Sequence, residues 1–274
     1  DMGKRFKSDI LKTTTDVHGV ITPEYLAYNI NDVKATFSLF IKQRALYKLH
    51  GTTRPMWKIY SEASLGKAYL DDMKFPQFMK QHADFPKAAL GSFMSTYYGG
   101  RSEVKYRRKI GQCMYADFKS QYPTVNALQG LQELLLAERI TIEKDINAVK
   151  TWVDNITVEE LLNKSAWHKL RGICQIIPNE DVRPVRSEYG SSPSANIGVN
   201  YLSSKIPTWY TIADIVASKL ITGKTPHIID VMVLTPHGRV ATIPFSLFGD
   251  DNYKIDLNAD DLFASVIDLR SKVR

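Results

Sequence analysis

The stretch that decides the reading is Cys113-Met114-Tyr115-Ala116-Asp117-Phe118-Lys119-Ser120-Gln121-Tyr122-Pro123. A short apolar run delivers an aspartate, and a tyrosine and a proline follow. The pattern predicts a buried strand over Cys113–Ala116 that ends at Asp117, a short turn, and a helix with Pro123 near its start. A carboxylate fixed at a strand end can hold a divalent metal. Two such metals about 3.5–4 Å apart clamp the attacking and leaving oxygens of a phosphoryl transfer. The backbone amides of a turn that enters a helix can bind triphosphate oxygens. An isolated Asp followed by Tyr-Pro reads more plainly as an aspartate capping a strand–turn–helix junction.

The whole string resembles motif A of family B DNA-directed DNA polymerases, written D-x-x-S-L-Y-P, of the divergent bacterial, phage or plasmid kind. Asp117, Ser120, Tyr122 and Pro123 match, and Gln121 stands where leucine is usual, at a position that packs locally. The resemblance implies that Asp117 is a catalytic palm residue and metal ligand. It implies that Tyr122 lies beneath the sugar of the incoming nucleotide and excludes a 2′-hydroxyl, so that the substrate is a deoxynucleoside triphosphate (dNTP). It further implies that Phe118, Lys119, Ser120, Gln121 and Tyr122 form the nucleotide-binding turn.

Two upstream strings lie in the order this family requires. Tyr28-Asn29-Ile30-Asn31-Asp32 resembles the third exonuclease motif, Y-x-x-x-D. On a helix, Tyr28 and Asp32 share a face, and the resemblance implies that Tyr28 orients a water activated by a metal on Asp32 for 3′–5′ hydrolysis. Tyr98-Gly99-Gly100-Arg101 resembles the Y-x-G-G linker that joins exonuclease to palm and touches the template strand. Two glycines let backbone approach a phosphate, and Arg101, Lys105, Arg107, Arg108 and Lys109 add positive charge along the same stretch. The plainer alternative is a glycine turn beside a solvated basic strand. Tyr60-Ser61-Glu62-Ala63-Ser64-Leu65-Gly66-Lys67 also resembles the run that opens the polymerase half in some members. The likeness spans roughly residues 22–130 and assigns no roles beyond them.

The expected fold class is α+β. Residues 1–52 read as the helical end of a 3′–5′ exonuclease domain. Residues 53–130 read as the linker and first part of the polymerase palm, and 131–274 as a mixed α/β insertion leading toward the fingers. Thr22-Pro23-Glu24 starts a helix that runs to about Leu49, with Gly51 behind it. Val33, Phe37, Phe40 and Ile41 fall on one face of it, expected to be core. Residues 51–100 read as helices broken near Pro55, Pro76 and Pro86, residues 101–110 as a strand, and 119–140 as helical. Thr157 caps a short helix. Trp209 to Leu220 reads as an amphipathic helix closed by Gly223. Residues 227–247 read as a hairpin turning at Pro236-His237-Gly238, and a last helix begins near Asp260.

Lys and Arg total 36 against 29 Asp and Glu, for a net charge of +7. This balance favours a polyanionic partner such as nucleic acid. The two cysteines, Cys113 and Cys174, lack a CxxC neighbour, which argues against a disulfide framework and a thiolate zinc site and for a reducing compartment; the family resemblance implies a cytoplasmic setting in a bacterial, phage or plasmid context. No apolar run approaches the roughly 20 residues of a membrane span, so no membrane partner is expected. Thr222-Gly223-Lys224-Thr225 imitates the tail of a phosphate-binding loop, but Ser218 stands where that motif needs glycine and a helix, not a strand, precedes it. The histidines lack paired ligand spacing. Trp152, Trp167 and Trp209 read as core anchors.

Several required strings are missing. Neither D-T-D nor K-x-x-x-N-S-x-Y-G occurs, and no D-x-E precedes Tyr28. One carboxylate per site leaves any Mg2+ (or Mn2+) site incomplete. The implied parent is therefore a polymerase whose partners are primer–template DNA, a dNTP and the remainder of its own polypeptide, while this chain alone is expected to be inactive. The alternatives are a non-catalytic DNA-binding module derived from a polymerase, and an unrelated α+β protein. The gene separates the first two: D-T-D downstream supports the enzyme, and a natural stop near Arg274 supports the module. If residues 98–109 follow a phosphate backbone, the log–log salt slope of primer–template binding falls by about two in an Arg107→Ala/Arg108→Ala variant. Fluorescence anisotropy across a salt series measures it, and an unchanged slope removes these arginines from the interface.

Overall fold

The computed structural model describes residues 2–16, 18–100, 106, 108–188 and 195–272. They mix helices with antiparallel strands, an α+β composition. The strands are β1 (Arg139–Glu143), β2 (Gly172–Ile177), β3 (Asp181–Glu188), β4 (Ala195–Leu202), β5 (Thr208–Thr211), β6 (His227–His237), β7 (Phe245–Ser246) and β8 (Lys254–Ile255). The chain divides into two units, residues 1–75 with 242–259 and residues 76–241 with 260–274.

In the first unit the helix Pro23–Leu49 begins as expected. Thr22 Oγ1 accepts the Tyr25 amide at 3.1 Å, and Gly51 lies behind the helix with φ +65°. The face it covers is not the expected one. The polar N-terminal segment runs along Asn31, Asp32, Ser38 and Lys42, through contacts from Leu11, Lys12, Ser8 and Asp9. Ala35, on that same side, is the buried residue of the helix. Val33, Phe37, Phe40 and Ile41 point the opposite way and are exposed, which corrects the expected core face. Hydrogen bonding decides the matter locally: the polar segment finds its partners on the polar side, and nothing described in this unit covers the apolar one. A second cluster joins the helix Glu62–Asp72 to β7 through Tyr69 against Phe245 (5.3 Å), and beside it His50, at the end of the helix Pro23–Leu49, meets Phe248 (5.0 Å).

The second unit is built on a four-stranded antiparallel sheet ordered β1-β6-β2-β5. Its side chains alternate across the two faces, as a pleated strand requires. Cys174 pairs with Val231 and Tyr210, and all three face a core closed by the helices Ile146–Asn155 and Ile212–Thr222. Ile173 and Met232 face the other way, onto Phe85 and Ala89. A sheet buried on both faces explains the nearly unbroken apolar sequence of β2. The hairpin of β3 and β4 packs against the helix Ile212–Thr222. Trp152 and Trp167 pack on the first core and Trp209 on the second, as the sequence predicts.

Several expectations change. Trp209 lies in β5, and the helix starts at Ile212, where Thr211 and Asp214 form a reciprocal capping box. The 227–247 hairpin does not form, because β1 and β2 already fill both edges of β6. The expected strand over Cys113–Ala116 is exposed irregular backbone, not paired into any sheet among the described residues. A strand persists only where a neighbour takes its hydrogen bonds, and no described strand lies beside this one. Of the expected strand at 101–110, Tyr106 and 108–110 are irregular and the rest falls outside the described residues.

Gly172 shows how tight the sheet is. A Cβ there would sit 2.5 Å from the Met232 carbonyl oxygen and 2.9 Å from Ile212 Cδ1. Backbone oxygen cannot yield cheaply, so Gly172→Ala is expected to lower stability by about 1–3 kcal/mol, read as a fall in the urea midpoint with an unchanged slope.

Candidate functional site

The turn singled out by the sequence lies in the second unit. Asp117 is exposed, and Phe118 and Tyr122 are 79% and 74% exposed. Ser120 alone of the turn is buried. It adopts the left-handed region (φ 52°, ψ 42°), unusual for a residue with a side chain. Its carbonyl accepts the Thr124 amide at 3.0 Å and so opens the helix Gln121–Leu128. Its hydroxyl does not cap that helix; instead it accepts from Arg270 Nη1 at 3.2 Å. Lys119 Nζ donates to Ser271 Oγ at 2.8 Å. Both partners lie in the last turn of the helix Leu262–Lys272, which packs along Gln121–Leu128. Gln132 fixes the other end of that helix by donating to the Asp260 carbonyl at 2.8 Å and accepting from the Leu262 amide.

The glycine linker meets this turn. A Cβ on Gly100 would lie 3.6 Å from the Tyr122 hydroxyl. Gly99 takes φ +83°, which makes the turn its neighbours require. Tyr98 is anchored rather than free. Its ring stacks on Tyr210 at 5.9 Å with 6° between planes, and Arg186 lies 5.2 Å over it while donating to the Tyr97 carbonyl. On the far side of the stack Arg183 sits 5.1 Å from the Tyr210 ring. Arg183 is fully buried; its Nη1 donates to the carbonyls of Val182 (3.1 Å) and Asp214 (2.6 Å), and its Nε and Nη2 have no hydrogen-bond partner. Burial pulls its pKa down, against the opposing pull of Asp181 and Asp214. Burial likewise raises the Tyr210 hydroxyl, with Tyr98 adding to the effect.

Arg108 and Lys109 are exposed, Arg108 with φ 58°. Arg101, Lys105 and Arg107 lie outside the described residues. In the first unit, Tyr28 stacks on Tyr25 at 6.2 Å and meets His18 edge-on at 6.3 Å. Asp32 Oδ2 pairs with Lys12 Nζ at 3.4 Å, and its Oδ1 is buried without a partner.

A hydrated Mg2+ takes one or two carboxylates plus substrate phosphates. Asp117 supplies one oxygen donor at an accessible turn, and Asp32 another in a different unit. No cluster of three or more His, Cys, Asp or Glu is placed to hold a metal among the described residues. The donor set at either position therefore does not fit a two-metal centre by itself. No described helix is long and apolar enough to cross a membrane. Compared with protein families, curated proteins and solved structures, the chain matches none of them.

The sequence did not point to the Arg270–Ser120 and Lys119–Ser271 contacts, nor to the Arg186–Tyr98–Tyr210–Arg183 ladder. Each joins residues far apart in the chain, and an arginine in a helix's last turn looks like an ordinary dipole partner. The two thiols offer a direct check on this geometry. Cys174 is fully buried, with its pKa pushed up to about 12, mainly by burial, whereas Cys113 is exposed on the unpaired segment. Iodoacetamide at about pH 8 should modify one thiol in the native chain and the second only after denaturation, because the thiolate is the reacting form. Mass spectrometry that found Cys113 protected would restore the expected strand.

Proposed function

We propose that this chain is the motif A region of a family B type DNA-templated DNA polymerase. In that role Asp117 carries one metal-binding carboxylate, Tyr122 selects deoxyribose, and the turn Phe118–Gln121 receives the triphosphate. The observation that carries the proposal is the meeting of Gly100 with the Tyr122 hydroxyl. The linker and the turn were singled out separately in the sequence, and a nucleotide site needs template-strand contacts and sugar selection side by side. The exposed aromatic and acidic groups of the turn support the same reading, since a site for a soluble nucleotide has to be open. Mg2+ would supply charge neutralisation and a clamp on the reacting oxygens. The chain's own residues bind and orient: Asp117 presents a carboxylate, the amides of Gln121 and Tyr122 face the helix entry, and Lys119 and Arg108 add positive charge. The bare apolar face of the helix Pro23–Leu49 supports placing residues 1–52 at the edge of a larger domain, because an exposed apolar stripe marks an interface.

The incomplete carboxylate set favours one second reading, a polymerase-derived module that holds DNA without chemistry. Primer extension with Mg2+ separates the two. The complete polypeptide should extend a primer, Asp117→Asn should cost on the order of 10³-fold, as removal of a charge-stabilising group does, and Tyr122→Val should admit ribonucleotides. This chain alone should extend nothing. Full activity in Asp117→Asn removes the palm assignment, and a complete polypeptide that binds DNA but never extends a primer establishes the module.

A further inference from the structure

The motif A turn is held from a distance by the helix Leu262–Lys272. Ser120 sits at the helix entry, where a serine hydroxyl ordinarily accepts an amide of the first turn. Here the hydroxyl accepts from Arg270 Nη1 at 3.2 Å and caps nothing. With Pro123 lacking an N–H and the Thr124 amide taken by the Ser120 carbonyl, the Gln121 and Tyr122 amides are left as donors at the entry. The neighbouring contact from Lys119 to Ser271 repeats the attachment one residue earlier. Ser120 is buried and in the left-handed region, a conformation that a lone serine holds only when its surroundings impose it.

We propose that Arg270 is a positioning residue for the nucleotide site. By gripping the Ser120 hydroxyl it keeps that hydroxyl off the first-turn amides and fixes the left-handed turn between Asp117 and Tyr122, so that those amides stay open to the triphosphate. This rests on the polymerase reading for its purpose but not for its geometry. Arg270 acts through Ser120. The helix that bears it is therefore a support for the turn, and a shift of that helix would loosen the turn.

Two measurements test this, one on each layer. In this chain, hydrogen exchange of the Thr124 amide should quicken about tenfold in Arg270→Ala, the scale of losing one charge-assisted hydrogen bond. Ser120→Ala should do the same. The double variant should exceed neither single, since both remove one interaction, and Arg270→Lys should recover part of the protection. The helix Ile146–Asn155 should exchange at its original rate in all of them, which separates a loosened turn from a failure to fold. In the complete polypeptide, Arg270→Ala should raise KM for dNTP about tenfold while primer–template affinity holds, with Arg270→Lys again intermediate. Exchange at Thr124 unchanged in Arg270→Ala overturns the grip. Faster exchange with an unchanged dNTP KM overturns the positioning role. A wild-type polypeptide that incorporates no nucleotide overturns the polymerase reading instead, and the exchange result then still decides the grip.

Discussion

The second unit depends on the pairing of β2 with β6. Each of these strands has both hydrogen-bonding edges occupied and both faces covered, so neither can slip by one residue without turning a buried face toward the wrong core. Gly172, pressed against the Met232 carbonyl, sets how closely the two backbones run. With β1 and β5 completing the sheet, the helices have only its two faces to occupy. One side takes Ile146–Asn155 and Ile212–Thr222, and the other takes Lys87–Ser95. The turn at Asp117–Tyr122 is not part of this sheet. It is held by helix packing and by a few side-chain hydrogen bonds, a lighter attachment than strand pairing.

The buried guanidinium of Arg183 links the sheet to the glycine linker. A lone buried cation is costly, and here three things offset part of the cost: two carbonyl acceptors, the fields of Asp181 and Asp214, and the face of Tyr210. Tyr98 continues the stack and Arg186 closes it. The outcome is a linker whose half-buried tyrosine lies in this stack while the glycines beyond it remain exposed.

What the sequence made legible follows from range. The helix Pro23–Leu49 was readable because its cap, its proline and its closing glycine lie within a few residues of each end. Gly223 was readable as a helix terminator for the same reason. The apolar spacing of Val33, Phe37, Phe40 and Ile41 correctly marked a helix face but not whether anything covers it, since that depends on a partner elsewhere. The β6 region was misread because periodicity shows that a segment is a strand and says nothing of which strand lies beside it. Cys113–Ala116 failed in the same way: its composition suits a strand, and no strand among the described residues lies beside it. Within the candidate site, the identities of Asp117 and Tyr122 were local information. The hold of Arg270 on Ser120 was not.

The separation of paired elements along the chain also orders the events of folding. β1 waits for β6, with Arg139 opposite His237, and the Ser120 hydroxyl waits for Arg270. Contacts this distant in sequence form late, since loop closure must be met before they contribute. During synthesis the segment around Asp117 leaves the ribosome long before its supporting helix does. Until that helix has emerged the Ser120 hydroxyl lacks its arginine partner, so the turn completes its contacts well after its own residues have been made.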